Sequence, residues 1–265
     1  RFVQTAQRAG IKYFEICHLF SQWGAKACPD IRVKEHGRTR LRFSYKTDAC
    51  SEEYEVFLRA FLPALDGHLH ELGLGGRILY HLSDEPNGEH LERYRRHLRL
   101  IKEILPGCRV MDALSDYAYR SIGIDLPVVA IDAVTPFLES KTDIMVYYCT
   151  GQDRHFEPNC FFSTPSERNR VLGIMLYRSQ AKGFLHWGYN FYNSYLSLRM
   201  LDPFYETDGG GRFQAGDAFL VYPGKEEALA SLRLKVFADG LQDYRLLKAL
   251  ETRKGRAFVT ELLDR

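Results

Sequence analysis

The sequence predicts an α/β fold, a (β/α)8 TIM-like barrel whose first strands lie upstream or form differently. Short apolar runs alternate with amphipathic helical patterns, which implies parallel strand pairing in a barrel or a doubly wound sheet. No GxGxxG segment follows a strand pattern, so the doubly wound nucleotide-binding alternative has little support. The expected organisation is one barrel domain over residues 1–265, the C-terminal part of a longer chain.

Six apolar or β-branched runs predict strands. They cover residues 11–17, 77–82, 109–114, 128–132, 144–149 and 183–188. A barrel of this type has eight strands, so two strands are unaccounted for. The opening segment RFVQTAQRAG predicts the last turns of a helix, and the chain begins without an initiator Met or a signal peptide, which indicates a truncated chain.

Helical patterns lie between most of these runs. Apolar residues recur at three- and four-residue steps from Leu91 to Leu105, which predicts an amphipathic helix. A second helix is predicted from Thr164, which has capping-box spacing to Glu167 and is followed by Pro165 at the first helical position. A third helix is predicted over residues 230–250. The segment GDAFLVYPG predicts a long ordered loop or hairpin.

The bulk composition excludes several classes of partner. With 36 Lys plus Arg against 34 Asp plus Glu, the net charge of +2 is too balanced for a nucleic-acid-binding protein. No apolar run is long enough to span a membrane. The six cysteines form no CxxC pair, which indicates buried free thiols and favours the cytoplasm, although secretion stays an alternative because the start of the chain is missing.

The segment ILYHLSDEPNG places two adjacent carboxylates, Asp84 and Glu85, where a buried strand ends. Turn residues alone would explain such a segment as a solvated loop. In a parallel barrel, however, catalytic side chains lie at the carboxyl ends of the strands. Other predicted strands also end in groups capable of chemistry, namely His18, Asp112, Tyr148, Trp187 and Asn190. Their convergence at one rim favours an active site.

Two carboxyl groups at a barrel mouth suggest glycoside hydrolysis, and the 13% aromatic content supplies rings on which a sugar can stack. Ordinary retaining enzymes hold the two groups about 5 Å apart across the scissile bond, a geometry that adjacent residues fit poorly. Adjacent residues suit a substrate-assisted route, in which the sugar's 2-acetamido oxygen attacks C1. Asp84 would then orient the acetamido group, and Glu85 would serve as general acid and base. Repulsion between the two carboxylates should raise the pKa of one of them.

Several motifs together resemble the catalytic domain of glycoside hydrolase family 123. They are YFEICHLFSQWGAKACPDI, HLSDEPN, DALSD, YYCTGQ, SERNRVLG, GFLHWGYNFYNS and GDAFLVYPG followed by SLRLKVFADGLQDYRLLKALE, and they extend from about residue 10 to residue 251. The resemblance implies a (β/α)8 exo-β-N-acetylgalactosaminidase with a β-sandwich domain upstream in the same chain. We expect such an enzyme to need neither a cofactor nor a metal.

The resemblance also implies roles for individual residues. The family's catalytic pair corresponds to Asp84 and Glu85. For substrate binding it suggests Trp187 as a stacking floor and Tyr148 as a donor to the acetamide oxygen. Hydroxyl contacts are expected from Asn190, Tyr192, His18 and Trp23, and Asp112 is a further candidate at the rim.

Two alternatives stay open from the sequence. The first is a carbohydrate-binding barrel without turnover, or a glycosidase for another sugar; retention of both Asp84 and Glu85 favours activity over binding. The second is a metal-dependent hydrolase, for which His18, His81 and His186 are the best ligands. His68 and His70 are poor candidates because residues two apart do not share a helix face. The sequence does not decide between galacto and gluco configuration.

Overall fold

The computed structural model describes residues 1–155 and 158–265, with the backbone alone for residues 153–155. The chain divides into two compact units, Arg1–Val128 and Val129–Arg265. Each unit contains its own cluster of buried apolar side chains.

The strands of the first unit are β1 (Phe14–Ile16), β2 (Ile31–Glu35), β3 (Arg38–Phe43), β4 (Ile78–His81) and β5 (Arg109–Leu114). β4 pairs in parallel with β1 on one side and with β5 on the other. All four residues of β4 are buried, as expected for a parallel strand covered on both faces. β2 and β3 form a separate antiparallel hairpin.

The helices of the first unit are α1 (Phe2–Arg8), α2 (Glu52–Glu71) and α3 (Leu91–Ile104), with short 3₁₀ helices at Gly88–His90 and Tyr117–Ile122. α3 buries Tyr94, Leu98 and Ile101, which recur at three- and four-residue spacing and so face the core together. Asn87 accepts a hydrogen bond from the backbone N–H of Glu89 and thereby caps the turn that leads into α3. This cap therefore defines where the segment after β4 ends and the helical turn begins.

Six strands belong to one sheet: β1, β4 and β5, then β6 (Leu126–Ala130), β7 (Met145–Tyr147) and β8 (Phe184–Leu185). β6 contains the boundary between the units. In the second unit β7 and β8 pair in parallel, while β9 (Val221–Pro223) and β10 (Ala228–Ala230) form an antiparallel pair.

The helices of the second unit are α4 (Thr135–Glu139), α5 (Ser166–Arg170), α6 (Leu172–Ser179), α7 (Leu232–Lys254) and α8 (Arg256–Leu263), with 3₁₀ turns at Ile131–Ala133, Thr150–His155 and Tyr195–Ser197. α6 and α7 approach closely through two glycines. A Cβ atom added at Gly173 would lie 1.8 Å from the carbonyl oxygen of Gly240, and one added at Gly240 would lie 2.6 Å from that of Arg170. At these glycines the helix backbones are in direct contact, and any side chain would force them apart.

The α/β class and all six predicted strands are confirmed, with shifts of a few residues at their ends. Closure of an eight-stranded barrel and a single domain over residues 1–265 stay predictions. The capping box predicted at Thr164 is wrong, because the helix begins at Ser166 after Pro165, which has extended backbone. The Thr164 hydroxyl donates instead to the carbonyl of Phe161 at 2.8 Å. The segment containing GDAFLVYPG enters the β9–β10 hairpin, as expected.

Two further sequence predictions concern the cysteines and the membrane. All six cysteines are free, although only Cys28 and Cys160 are buried. Among the described residues, we find no helix with the length and apolar character needed to cross a bilayer.

Candidate active site

Asp84 and Glu85 lie three and four residues beyond the carboxyl end of β4. The backbone holds them there by two hydrogen bonds to β5. The N–H of Ser83 donates to Asp112 Oδ2 at 2.9 Å, and the N–H of Glu85 donates to the carbonyl of Ala113 at 3.0 Å. The two carboxylates are therefore fixed at the strand end where sequence reasoning expected them.

The backbone at this pair is strained. Asp84 has φ of 145° and Glu85 has φ of 43°, so two consecutive residues other than glycine occupy the positive-φ region. Such conformations cost on the order of 1–3 kcal/mol each and persist only where surrounding contacts impose them. Strain of this kind clusters at functional sites, which favours a functional reading of the turn.

A loop that follows β1 provides the contacts that impose this conformation. The N–H of Trp23 donates to the carbonyl of Asp84 at 3.0 Å, and the Ser83 hydroxyl donates to the carbonyl of Ser21 at 3.0 Å. The side-chain amide of Gln22 donates to Asp84 Oδ2 at 2.7 Å, and the indole N–H of Trp23 lies 3.4 Å from Glu85 Oε2. Residues 21–23 thus reach both the backbone and the carboxylates of the pair.

The same loop is itself strained. Trp23, Gly24 and Ala25 have φ of 54°, 127° and 51°. A Cβ atom added at Gly24 would lie 2.7 Å from the imidazole of His90, so both the conformation and the space require glycine there.

Burial and the negative charge of Glu85 together raise the pKa of Asp84 to about 7, although His81 and the hydrogen bond from Gln22 oppose the rise. The sequence argument expected one carboxyl of the pair to have a raised pKa, and Asp84 does. The physical reason is that the Asp84 side chain is only 20% exposed. Near neutral pH this carboxyl therefore exchanges between its two protonation states.

His81, the last residue of β4, lies beneath the pair. Its Nδ1 is 2.7 Å from Glu15 Oε1 and its Nε2 is 3.2 Å from Asp112 Oδ1. The same Nε2 is 3.9 Å from Asp84 Oδ1. Burial lowers the pKa of His81, but the hydrogen bonds to Asp112 and Glu15 outweigh burial and raise the pKa to about 10.

His18 contacts His81 edge to face, with ring centroids 4.3 Å apart. Burial and the neighbouring His81 cation lower the pKa of His18 to about 4. His18 is therefore a neutral imidazole at physiological pH, able to donate one hydrogen bond and accept another.

In the second unit, Trp187 follows β8 and is 38% exposed. Its indole N–H donates to Asp217 Oδ2 at 3.0 Å, an oxygen that also accepts from the Thr150 hydroxyl at 2.9 Å. The Trp187 ring contacts Phe191 and Phe213, with centroids 5.4 and 4.9 Å away. These contacts hold the indole ring in one orientation.

Tyr148 is almost fully buried, at 1% exposure. Its hydroxyl lies 3.5 Å from Asn169 Oδ1. Asn190 is exposed and forms an isolated bridge with Phe219. Tyr192 donates its hydroxyl to the carbonyl of Val221 at 2.9 Å. The substrate contacts that the resemblance suggests for these three residues stay predictions.

Among the residues that the structure describes, two groups of side chains bring metal-ligand atoms within 4.8 Å of one another: His18, His81 and Asp84 in one unit, and Cys160, His186 and Asp217 in the other. In the first, both nitrogens of His81 already face carboxylates. In the second, the N–H of Gly188 donates to His186 Nδ1, which leaves the proton of the neutral ring on Nε2, the atom that would bind the metal. We assign neither group as metal ligands.

The first unit therefore brings together five of the residues predicted from the sequence: His18, Trp23, Asp84, Glu85 and Asp112. In the second unit Trp187 joins Asp217, which sequence reasoning missed. Glu15 and Gln22 were missed too. The sequence offered two signals for the missed carboxylates. Glu15 lies within the apolar strand YFEIC, and Asp217 lies next to the apolar residues of GDAFL.

Comparisons with known proteins give two kinds of result, similarity to solved structures and a match to a family model. Among solved structures the chain is similar to a family 123 glycoside hydrolase from Clostridium perfringens, studied for glycolipid glycan hydrolysis, with a TM-score of 0.64 and 19% identity over 85% of this chain and 40% of that one. It also matches a mutant family 5 mannosidase from Rhizomucor miehei, with a TM-score of 0.40 and 12% identity over 72% of this chain and 56% of that one. No curated protein matches.

The first of these similarities concerns the fold, and the chain spans less than half of that neighbour's length. A family model provides the stronger result. The model of the glycoside hydrolase 123 catalytic domain matches residues 1–250, nearly the whole chain. The chain belongs to glycoside hydrolase family 123.

Proposed function

We propose that the protein is a retaining exo-glycosidase that removes terminal β-linked N-acetylgalactosamine from glycans or glycolipids by substrate-assisted catalysis. The observation that carries this proposal is the adjacent pair Asp84–Glu85 at the end of β4, held in strained backbone by residues 21–23. Adjacent carboxylates cannot flank a glycosidic bond from two sides, so the geometry favours a nucleophile supplied by the sugar.

Asp84 would accept a hydrogen bond from the acetamido N–H of the sugar. Its Oδ2 already accepts an amide N–H, that of Gln22, at 2.7 Å. The ionised form of Asp84 would orient the acetamido oxygen toward C1 and stabilise the positive charge that develops on the group. A pKa of about 7 means that this ionised form is readily reached near neutral pH.

Glu85 would serve as the general acid and then as the general base. In the first step the acetamido oxygen bonds to C1, the glycosidic C–O bond breaks, and the leaving oxygen takes the proton of Glu85. In the second step water loses a proton to Glu85 and adds to C1, and the oxazolinium ring opens to regenerate the acetamide. Two inversions at C1 give net retention.

The test is hydrolysis of p-nitrophenyl β-N-acetylgalactosaminide and β-N-acetylglucosaminide by the wild type, Asp84→Asn and Glu85→Gln. We expect selective cleavage of the galactosaminide and at least a ~100-fold loss in both variants, the scale of acid–base catalysis. Glu92→Gln is the matched control, because that exposed carboxylate pairs only with Arg95 on the surface of α3 among the described residues. Cleavage of neither sugar, or full activity in the variants, would favour a non-catalytic carbohydrate-binding barrel or a different sugar.

The mechanism has its own readout. Substrates whose N-acetyl group carries one, two or three fluorine atoms have a progressively weaker acetamido nucleophile. The proposal expects the rate to fall steeply along this series and the first sugar product to be the β-anomer. A flat series, or an α-anomer, would reject the substrate-assisted route while leaving glycosidase activity in place.

The substrate role proposed for Trp187 is tested separately. Loss of its ring in Trp187→Ala should raise KM about tenfold, as expected when an aromatic stacking surface is removed, while Trp187→Phe should retain most of the affinity. The neighbouring Tyr189, which is 52% exposed, provides the control variant Tyr189→Ala.

A further inference from the structure

Three neighbouring strands contribute one side chain each to a buried ion network below Asp84. Glu15 comes from β1, His81 from β4 and Asp112 from β5. The His81 side chain is 5% exposed, Asp112 is fully buried, and Glu15 is 40% exposed. The network therefore runs from a solvent-accessible carboxylate to a fully buried one through a single imidazole.

The hydrogen bonds define the charge of that imidazole. Carboxylates accept hydrogen bonds, so Nδ1 facing Glu15 at 2.7 Å and Nε2 facing Asp112 at 3.2 Å both require a proton. An imidazole with both nitrogens protonated is a cation. The raised pKa of His81, about 10, agrees with this geometry.

Asp112 is itself held in place by α3 and by the backbone after β4. Its Oδ2 accepts from the Tyr94 hydroxyl at 2.6 Å and from the N–H of Ser83 at 2.9 Å. These two donors turn Oδ1 toward His81 Nε2. The imidazole ring is thus clamped on both sides, and its Nε2 edge is held 3.9 Å from Asp84 Oδ1.

We propose that His81 is a positioning residue for the reaction: a permanent imidazolium, held by Glu15 and Asp112, that favours the ionised form of Asp84 and fixes the direction of its carboxylate. This assignment of a role in catalysis rests on the function proposed above for Asp84. The ionisation of His81 and its effect on Asp84 do not depend on which substrate the enzyme cleaves.

The charges around Asp84 explain why such a cation is needed. Glu85 and Asp112 both raise the pKa of Asp84, burial raises it more than either, and His81 is the cation that lowers it. The other group facing His81 is His18, which is neutral. Without His81 the Asp84 carboxyl would ionise only at still higher pH.

The first experiment measures ionisation directly and needs no activity. In protein labelled with ¹⁵N at histidine, both His81 nitrogens should have the chemical shifts of protonated imidazolium at pH 8, where an ordinary histidine is neutral. His97, which is buried, faces a backbone carbonyl and has a pKa of about 4, is the internal reference for a neutral ring. A neutral His81 at pH 8 would overturn the proposal.

The second experiment follows Asp84. The ¹³C carboxyl shift of Asp84 should titrate about one unit or more higher in His81→Gln than in the wild type, because an opposite charge within ~4–6 Å shifts a carboxyl by about 1–3 units. The acid limb of kcat/KM should move up by the same amount, with kcat at pH 7 falling about fivefold or more and KM changing less. His97→Gln, which removes a buried neutral imidazole, should leave the acid limb in place.

The outcomes distinguish failure of the proposed glycosidase function from failure of the role proposed for His81. If the wild type cleaves neither hexosaminide but the Asp84 titration moves in His81→Gln, the function is rejected and the effect of His81 on Asp84 stands. If the enzyme is active and neither the titration nor the acid limb moves, His81 is only a packing residue. Should His81→Gln fail to fold, Glu15→Gln removes the negative charge beside His81 Nδ1 at a partly exposed position. The pKa of His81 should then fall by about one unit or more, and no fall would overturn the proposal.

Discussion

The side-chain amide of Gln22 donates a hydrogen bond to Asp84 at 2.7 Å, across 62 residues of sequence. This bond favours the ionised carboxylate, because a charged carboxylate oxygen accepts a hydrogen bond more strongly than a neutral carboxyl oxygen does. Gln22→Ala should therefore raise the pKa of Asp84 and move the acid limb of kcat/KM to higher pH. We expect a shift smaller than that from His81→Gln. The control is Gln242→Ala, at an exposed position on α7, and an unchanged or lowered acid limb in Gln22→Ala would contradict the prediction.

The raised pKa of Asp84 also makes stability depend on pH. A carboxyl whose pKa is about 7 in the folded state, against an ordinary value of 3.8, binds its proton more tightly when folded. Its contribution to the free energy of unfolding is therefore complete below pH 4 and is lost as the pH rises through 7. Wild type should lose about 2–4 kcal/mol relative to Asp84→Asn between pH 4 and pH 8. Urea unfolding of both proteins at several pH values measures this difference, and a constant difference would exclude it.

Backbone strain at Asp84 gives a prediction about glycine. At ordinary positions, replacing alanine by glycine costs about 0.5–1 kcal/mol. At position 84, where φ is 145°, we expect the reverse: Asp84→Gly should be more stable than Asp84→Ala by about 1–2 kcal/mol. Both variants lack the carboxylate, so the comparison isolates the backbone. A less stable Asp84→Gly would show that the turn carries no such strain.

Close packing of α5 against α7, and its absence around Gly67 in α2, predict opposite effects for two helical glycines. Gly240→Ala would place its Cβ 2.6 Å from the carbonyl oxygen of Arg170, and we expect a loss of about 2 kcal/mol or more. Gly67 lies within α2 with nothing within 4 Å of an added Cβ, so Gly67→Ala should stabilise by about 0.5–1 kcal/mol. Thermal unfolding of the two variants provides the measurement. Equal effects would mean that α7 can move away from Arg170 of α5 without cost.

The sequence predicted the six strands because buried parallel strands are continuous apolar runs, and it predicted Asp84 and Glu85 because both follow such a run. It did not predict the partners of the pair. Glu15 and His81 are 66 residues apart, and no local pattern reveals a hydrogen bond between neighbouring strands. Thr164 shows a second limit, since capping-box spacing was present but its hydroxyl bonds to Phe161 instead. Local chemistry is visible in sequence, whereas pairing across strands becomes visible only in the fold.

The positive-φ turns at residues 23–25 and 84–85 have a consequence for protein engineering. Each turn is held by the other, through the bonds from Trp23 to the Asp84 carbonyl and from Ser83 to the Ser21 carbonyl. A host barrel given Asp84, Glu85 and Pro86 alone would relax their backbone and point the carboxylates elsewhere. The smallest transferable unit of this candidate site is therefore a pair of interlocked loops, and insertions into either loop should be as damaging as loss of a carboxylate.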